Sequence, residues 1–225
     1  RLPGSRAVDL RNHPAGAALD PRFRRGFEYS DGWVDDARLV LLNAVDARER
    51  GATVLTRTRC ESVRREDGTW RAELVGADGR REVLARALVN AAGPWAAEFL
   101  RDRSPLASRH GVRLVKGSHI VVRRLFDHDY AYIFQAPDRR IVFALPYEQD
   151  FTLIGTTDID HTPQPGKEEP VISAEEFDYL LEAGRALFPS LELGAQDVIA
   201  TFAGVRPIIP GGAAHPSKES RRHAI

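Results

Sequence analysis

Apolar residues recur at helical spacing in two stretches of the chain. Between residues 36 and 50 they lie on one predicted face: Ala37, Val40, Leu41, Ala44 and Val45. This spacing is typical of a helix with one apolar side. Asp35 precedes the stretch as a suitable N-cap, and Gly51 follows it where helices commonly end. The pattern therefore predicts a helix over residues 36–50.

A second helix is predicted between Ser173 and Pro189. Its apolar face comprises Phe177, Leu180, Leu181, Gly184, Leu187 and Phe188. Ser173 and Glu176 have the spacing of a capping box, in which each side chain accepts a hydrogen bond from the other residue's backbone N–H. Pro189 cannot continue a helix and marks its end.

Most remaining apolar residues fall in two β-rich regions. Residues 52–92 contain β-rich segments separated by turns that include Gly68 and Gly79, where glycine tolerates a positive φ. The apolar segment 87–92 is predicted to be a strand, and Pro94 then opens a helix at a first-turn position.

The second β-rich region spans residues 111–157. It contains consecutive segments of hairpin length, which favour an antiparallel sheet. The stretch 196–207, "QDVIATFAGVRP", predicts one further strand, which we expect to return to the first domain. Residues 1–26 are rich in proline, glycine and arginine, and are predicted to be a loop and connecting segment.

The composition is that of a globular protein of one or two domains. The chain has 225 residues, of which 43% are hydrophobic and 28% charged. Its formal net charge of zero argues against nucleic-acid binding. A single cysteine, Cys60, fits a reducing compartment, and no apolar run approaches the roughly 20 residues that span a membrane. Because the sequence lacks methionine and begins with Arg1, we expect it to be a piece of a longer chain.

Arg206 is the one charged residue in the stretch 201–210, "TFAGVRPIIP", and Pro207 restrains the chain beside it. A guanidinium is always charged and is rarely buried without a partner. Two partners remain open at this point. Its planar fork could bind the oxygens of an anionic substrate, or it could pair with an acidic side chain in the core.

The motif "KGSH" contains three further candidates. Side chains alternate along a strand, so Lys116 and Ser118 should share one face while His119 lies on the other. A strand histidine is more often structural, but near a reacting group it can act as a general base. Thr156 and Thr157 end another predicted strand, where hydroxyls can bind substrate oxygens or form local turns.

The segment "ALVNAAGPW" can either approach a ligand or form a plain strand-to-helix turn. Its small residues allow close approach of the backbone, and a helix N-terminus offers N–H groups to a phosphate. Cys60 is interpreted as an inert core thiol, and Asp35 and Asp36 as helix-capping residues. No histidine, cysteine or acidic residues have the spacing of metal ligands, so no metal site is predicted.

The order of these motifs resembles a known enzyme family. "GFEYSDGWVDDARLV" to "GPW", then "VRLVKGSHIVV", "IGTTD" and "GVRP", resemble the FAD-dependent, quinone-linked glycerol-3-phosphate dehydrogenases over nearly the whole chain. The Gly-x-Gly-x-x-Gly loop that holds the FAD pyrophosphate in that family has no counterpart in this sequence. The family's "HGG-x-RY" and "GGK-T" stretches have none either. The chain therefore resembles a central fragment, which is expected to be inactive alone.

The resemblance implies a mixed α/β and α+β fold. It would be part of a two-dinucleotide-binding flavoprotein, with a Rossmann-like FAD domain and an antiparallel-sheet substrate domain. The implied domains are residues 1–26, a connecting segment of the substrate domain; 27–110, the second part of the FAD domain; 111–192, the substrate-binding domain; and 193–225, a return strand and truncated C-terminal segment.

The resemblance also implies roles for individual residues. FAD is the implied cofactor. Its implied contacts are Thr58, Arg59, Cys60, Asn90, Ala91, Ala92 and Gly93, and we expect Thr58 and Gly93 to lie near each other. Arg206 would bind substrate and serve catalysis, Thr156 and Thr157 would bind substrate, and His119 is a secondary catalytic candidate.

The implied reaction is oxidation of sn-glycerol 3-phosphate to dihydroxyacetone phosphate by hydride transfer to flavin, with electrons passed to quinone. Such an enzyme would be cytoplasmic and peripheral to the membrane through parts outside this sequence, and a homodimer is one possible assembly. Two alternatives remain. One is an amino-acid or hydroxy-acid oxidase or dehydrogenase of the same superfamily, and the other is a flavin-free binding or assembly module.

Overall fold

The structure, a computed structural model, describes residues 2–106, 111–162 and 169–210. The described residues form two compact units, residues 2–3 with 30–106, and residues 4–29 with 111–162 and 169–210. The helices are α1 (Asp36–Glu49), α2 (Ala96–Arg103) and α3 (Ala174–Leu187). The strands are β1 (Arg6–Asp9), β2 (Arg25–Glu28), β3 (Arg59–Glu66), β4 (Thr69–Gly76), β5 (Gly79–Ala85), β6 (Arg113–Arg123), β7 (Tyr132–Gln135), β8 (Ile141–Tyr147), β9 (Phe151–Gly155), β10 (Ile159–Asp160) and β11 (Val198–Ile208).

Local sequence signals determine where both long helices begin. The Asp35 carboxylate accepts a hydrogen bond from the Arg38 N–H at 3.0 Å, directly before α1. The capping box of Ser173 and Glu176 is formed at the start of α3. Both predicted helices are confirmed. They could be predicted because each capping side chain lies within a few residues of the backbone N–H groups that it satisfies.

The first unit contains an antiparallel sheet in the order β3–β4–β5. Its first turn has positive φ at Asp67 (48°) and Gly68 (79°), and its second has a φ of 96° at Gly79. These are the two predicted glycine turns, and both are confirmed.

The predicted strand over residues 87–92 is wrong. This segment has no regular secondary structure, and the same holds for residues 52–55, which precede β3. An extended segment becomes a strand only when a neighbour completes its ladder of backbone hydrogen bonds. Apolar β-forming composition alone does not supply that neighbour.

In the second unit β6 is the central strand of an antiparallel sheet. It pairs with β9 and β10, and the sheet continues from β9 through β8 to β7. β11 also pairs with β6, with Arg206 opposite Val115 and Phe202 opposite His119. The predicted return of the last strand to the first domain is therefore wrong. Its backbone hydrogen bonds are made to the sheet of the second unit.

The core of the second unit lies between α3 and one face of this sheet. Its fully buried side chains include Ile120, Val122, Ala144, Ile154, Leu180 and Phe188. Residues predicted to be a connecting loop add to it, since Ala15 and Leu19 are only 7% exposed, and β1 pairs with β2. Strands of four residues carry too little periodicity to be recognised, so their formation depended on packing.

Candidate functional site

The two faces of β6 carry different chemistry. Lys116 and Ser118 both contact the Glu176 carboxylate of α3, at 2.6 and 2.8 Å. His119 lies on the opposite face and stacks on Phe202 of β11, with ring centroids 4.7 Å apart. The predicted alternation along "KGSH" is confirmed, and it separates a buried polar cluster from a more open face.

His119 occupies a tight and largely buried position. Gly155 lies opposite it in β9, and a Cβ added at Gly155 would collide with the imidazole ring. Burial and the charge of Arg206 lower the pKa of His119 to about 4. Its Nδ1 is buried and has no hydrogen-bond partner among the described residues. The ring is therefore neutral at pH 7.

The depressed pKa predicts how His119 affects stability. As pH falls, the unfolded chain binds a proton at His119 before the folded chain does, so acid favours unfolding. This contribution is fully present above about pH 6.5 and is lost as pH falls towards 4, by on the order of 1–3 kcal/mol. In urea unfolding of the full-length protein at pH 7 and 4.5, the wild type should lose more stability than His119→Gln. Equal losses of stability in the two proteins would contradict the lowered pKa of His119.

Arg206 projects over Gly117 of β6. Its Nη2 donates to the Thr157 carbonyl oxygen at 3.3 Å and lies 3.6 Å from Oδ1 of Asp158. A Cβ added at Gly117 would collide with both Nη2 of Arg206 and Oγ1 of Thr156. The Arg206 side chain is 35% exposed, so it is neither sealed in the core nor without an acidic neighbour.

The two candidate threonines have different surroundings. Thr156 is half-buried, and its hydroxyl donates to the Thr157 carbonyl oxygen at 3.0 Å. Thr157 is fully buried, and its hydroxyl donates to Glu176 at 2.7 Å and accepts from the Ser118 N–H at 2.8 Å. The Thr157 hydroxyl is therefore used within the protein, and its carbonyl oxygen is the part that contacts Arg206.

The candidate cofactor residues of the first unit form an open turn after residue 90. The Asn90 side chain donates to the Ala96 carbonyl oxygen at 2.9 Å and accepts from the Ala92 N–H at 3.2 Å. Gly93 has a φ of 55°, and the described residues leave open space where a Cβ would lie. Asn90 thus shapes the turn, while Ala91, Ala92 and Gly93 present a small-residue surface that fits close approach of a ligand.

The side chains at the start of β3 have local partners. The Thr58 hydroxyl donates to the Thr56 carbonyl oxygen at 3.0 Å, and Arg59 pairs with Glu61. Cys60 is half-buried, its Sγ lies 3.7 Å from the Ser62 carbonyl oxygen, and burial raises its pKa. The predicted proximity of Thr58 to Gly93 stays a prediction.

Residues 2–106, 111–162 and 169–210 offer neither a metal site nor a membrane span. No group of three or more histidine, cysteine or acidic side chains in these ranges could hold a metal ion. No helix within these ranges is long and apolar enough to cross a membrane.

Sequence reasoning missed three residues of this region. Asp158 is the acidic neighbour of Arg206 and follows the threonines directly. Gly117 provides the space for Arg206 and lies within "KGSH". The sequence predicts only a capping role for Glu176, and no local signal indicates that its carboxylate also contacts the sheet.

The pattern of the FAD dependent oxidoreductase family matches residues 4–221. The chain belongs to this family. It is 48% identical over its whole length to a glycerol-3-phosphate dehydrogenase of Pseudomonas aeruginosa, of which it covers 43%. It is also 46% identical over its whole length to the D-erythritol 1-phosphate dehydrogenase of Brucella abortus, of which it covers 45%.

A solved structure gives the same result for the fold. The glycerol-3-phosphate dehydrogenase of Bacillus halodurans, solved in complex with FAD, superimposes with a TM-score of 0.77 and 30% identity. The superposition covers 91% of this chain and 42% of that one. The chain thus spans less than half the length of these relatives. The family resemblance and the flavoprotein fold expected from the motifs are confirmed.

Proposed function

We propose that the full-length protein uses FAD to oxidise the secondary alcohol of a phosphorylated polyol, and that sn-glycerol 3-phosphate is its substrate. The observation that carries this proposal is the open sheet face where Arg206 lies beside a neutral His119 and the Thr156 hydroxyl. The product would be dihydroxyacetone phosphate. Similarity to dehydrogenases named for two phosphorylated polyols supports the substrate class.

Arg206 is suited to bind the anionic end or the oxygens of such a substrate. At 3.6 Å, Asp158 lies outside hydrogen-bond distance of its Nη2. Most N–H groups of the guanidinium therefore remain available to substrate oxygens, which a planar fork can bind in pairs. Asp158 meanwhile balances part of the charge in the absence of substrate.

His119 is the secondary candidate, as the base that accepts the hydroxyl proton. Its low pKa keeps it unprotonated, but a pKa of about 4 makes a weak base at neutral pH. Burial is the larger cause of this low pKa, and the charge of Arg206 is the smaller one, which a substrate anion bound to Arg206 would offset. We therefore expect substrate binding to raise the basicity of His119.

FAD, when bound, supplies the acceptor for the hydride. The small-residue surface of Ala91, Ala92 and Gly93 is the part of the described structure that best fits close contact with the cofactor. Asn90 would act by shaping that turn. We also propose that the cofactor contacts Thr58, Arg59 and Cys60 at the start of β3. This proposal rests on the family resemblance.

D-Erythritol 1-phosphate is the second candidate substrate, because the dehydrogenase named for it is nearly as similar to this chain as the glycerol 3-phosphate enzyme. Purified full-length protein should have a bound-flavin absorption spectrum. Its flavin should be bleached under anaerobic conditions by one of these two compounds, with kcat/KM highest for glycerol 3-phosphate. Bleaching by an amino acid or a hydroxy acid instead would favour the carboxylate-binding alternative. A colourless protein that takes up no FAD would favour a binding module.

Transfer of electrons to quinone at the cytoplasmic membrane face is also proposed. It rests on the family resemblance alone. A full-length protein that reduces a soluble quinone analogue in the presence of glycerol 3-phosphate, and that sediments with phospholipid vesicles, would support it. Activity only with molecular oxygen would contradict it.

Filling the space above Gly117 is expected to cause a specific loss of activity. In the full-length protein Gly117→Ala should displace the Arg206 guanidinium and lower kcat/KM by about tenfold without loss of FAD. Gly204→Ala is the matched control, because Gly204 pairs with Gly117 across the ladder but a Cβ there meets no described atom within 4 Å. Steady-state kinetics with flavin content measured on the same samples would test this. Equal effects of the two substitutions would contradict it.

A further inference from the structure

The Glu176 carboxylate makes more contacts than a helix cap needs. It is 1% exposed. Its Oε2 accepts from the Ser173 N–H at 2.9 Å, which completes the capping box, and lies 2.6 Å from the Lys116 ammonium. Its Oε1 accepts from the hydroxyls of Ser118 and Thr157 at 2.8 and 2.7 Å. Three of its four partners therefore come from the sheet and the turn beyond it, and both oxygens are fully used.

A capping box alone does not explain this burial. Capping glutamates work at solvent-exposed helix ends, whereas an ionised carboxylate in the core loses its hydration and must regain every contact from the protein. Burial opposes ionisation of Glu176, but its hydrogen bonds from Lys116, Ser173, Thr157 and Ser118 prevail, and its pKa lies below the ordinary value. The carboxylate is thus held charged in a buried position that faces the sheet.

A single residue, Thr157, contacts both Glu176 and Arg206. Thr157 is one of the two hydroxyl partners of Glu176, and it is fixed from a second side by the Ser118 N–H, which donates to Oγ1 at 2.8 Å. The carbonyl oxygen of the same Thr157 accepts from Nη2 of Arg206 at 3.3 Å. The next residue, Asp158, carries the carboxylate 3.6 Å from that nitrogen. A shift of the Thr157 backbone would therefore move both groups against which Arg206 rests.

We propose that Glu176 is a positioning residue for the substrate-binding arginine. It holds Thr157 in place, so the Thr157 carbonyl and the Asp158 carboxylate fix the orientation of the Arg206 guanidinium on the other face of the sheet. This inference rests on the role proposed above for Arg206. Glu176 does not itself touch substrate, and its influence passes through the turn.

The first test is kinetic and uses full-length protein with glycerol 3-phosphate. Glu176→Gln should lower kcat/KM by about tenfold, mainly through KM, because a misplaced guanidinium binds substrate less well. Thr157→Val removes the hydroxyl link at nearly constant shape and should have a similar effect, which keeps the test valid if Glu176→Gln folds poorly. Ser173→Ala is the matched control. It removes the other half of the capping box, and it should reduce stability with kcat/KM unchanged.

A double-mutant cycle distinguishes positioning from general destabilisation. If Glu176 acts through Arg206, Glu176→Gln should cause no further loss of kcat/KM once Arg206 is alanine. The proposal would be overturned if the fold-losses of kcat/KM in the two single variants multiplied in the double variant. A loss in Ser173→Ala equal to that in Glu176→Gln would also overturn it.

A crystal structure of full-length Thr157→Val or Glu176→Gln gives a readout that needs no substrate. The Arg206 contact with the carbonyl oxygen of residue 157 should be lost or displaced. An unchanged contact would refute the inference even if glycerol 3-phosphate proved to be the wrong substrate. Wild-type protein that does not oxidise glycerol 3-phosphate would instead count against the proposed function alone.

Discussion

Arg206→Ala in the full-length protein is expected to lower kcat/KM for glycerol 3-phosphate by about one to two orders of magnitude and to leave the FAD content unchanged. The guanidinium is 35% exposed, and its acidic neighbour Asp158 lies 3.6 Å away, so the N–H groups that do not contact the Thr157 carbonyl are available to substrate oxygens. Losing one charge-assisted contact costs roughly 1.5–3 kcal/mol, which corresponds to that loss in rate. Arg206→Lys should recover only part, because an ammonium cannot bind two oxygens in a planar fork.

The chain offers a matched control for this experiment. Arg140 is also 35% exposed and pairs with Asp138 at 2.6 Å. Arg140→Ala removes an arginine of equal exposure away from the β6–β11 face, and it should leave kcat/KM near the wild-type value. If Arg206→Ala retains normal kinetics, or loses flavin instead, Arg206 has a structural role and the proposed binding site is wrong.

The largest effect on stability is expected from Lys116→Met. The Lys116 ammonium lies 2.6 Å from a carboxylate that is 1% exposed. Removing the cation leaves Glu176 with a buried negative charge that its remaining hydrogen bonds do not neutralise. Breaking such a pair from one side costs about 3 kcal/mol or more. Urea unfolding of the full-length protein at pH 7 would measure this loss.

The direction in which this stability loss changes with pH identifies the buried charge of Glu176 as its cause. In the wild type the pKa of Glu176 is lowered. Its ionised carboxylate therefore stabilises the fold above the pKa that Glu176 has in the unfolded chain, and this stabilisation is lost as pH falls below that pKa. In Lys116→Met burial should raise that pKa, so protonation relieves the penalty and the gap to the wild type should narrow towards pH 5. Adding Glu176→Gln should also recover part of the stability. A gap that does not change with pH would mean that Lys116 contributes through packing.

Much of the local structure could be predicted because its causes lie close together in sequence. The cap at Asp35 and the capping box of Ser173 and Glu176 each satisfy backbone groups within four residues. The turns at Gly68 and Gly79 need only a residue that accepts positive φ. The alternation along "KGSH" follows from strand geometry, and it correctly separated His119 from Lys116 and Ser118.

The partners of these elements could not be predicted in the same way. The last strand pairs with β6, and residues 87–92 form no strand, although both segments have β-forming composition. A strand depends on a neighbour that can be far away in sequence, and composition does not name that neighbour. The segment 1–26 illustrates the same point, since its short strands and its buried Ala15 depend on packing.

The sequence by itself determined the family, the helices with their caps, the hairpin turns and the candidacy of Arg206, the one charged residue in an apolar stretch. Only the tertiary structure decided what surrounds that arginine. Three groups, Gly117, the Thr157 carbonyl and Asp158, lie between 48 and 89 residues before it. They are brought to it because β11, β9 and β10 all pair with β6. The same folding converts Glu176 from a helix cap into a buried carboxylate with four partners, because desolvation and hydrogen bonding act through space and not along the chain.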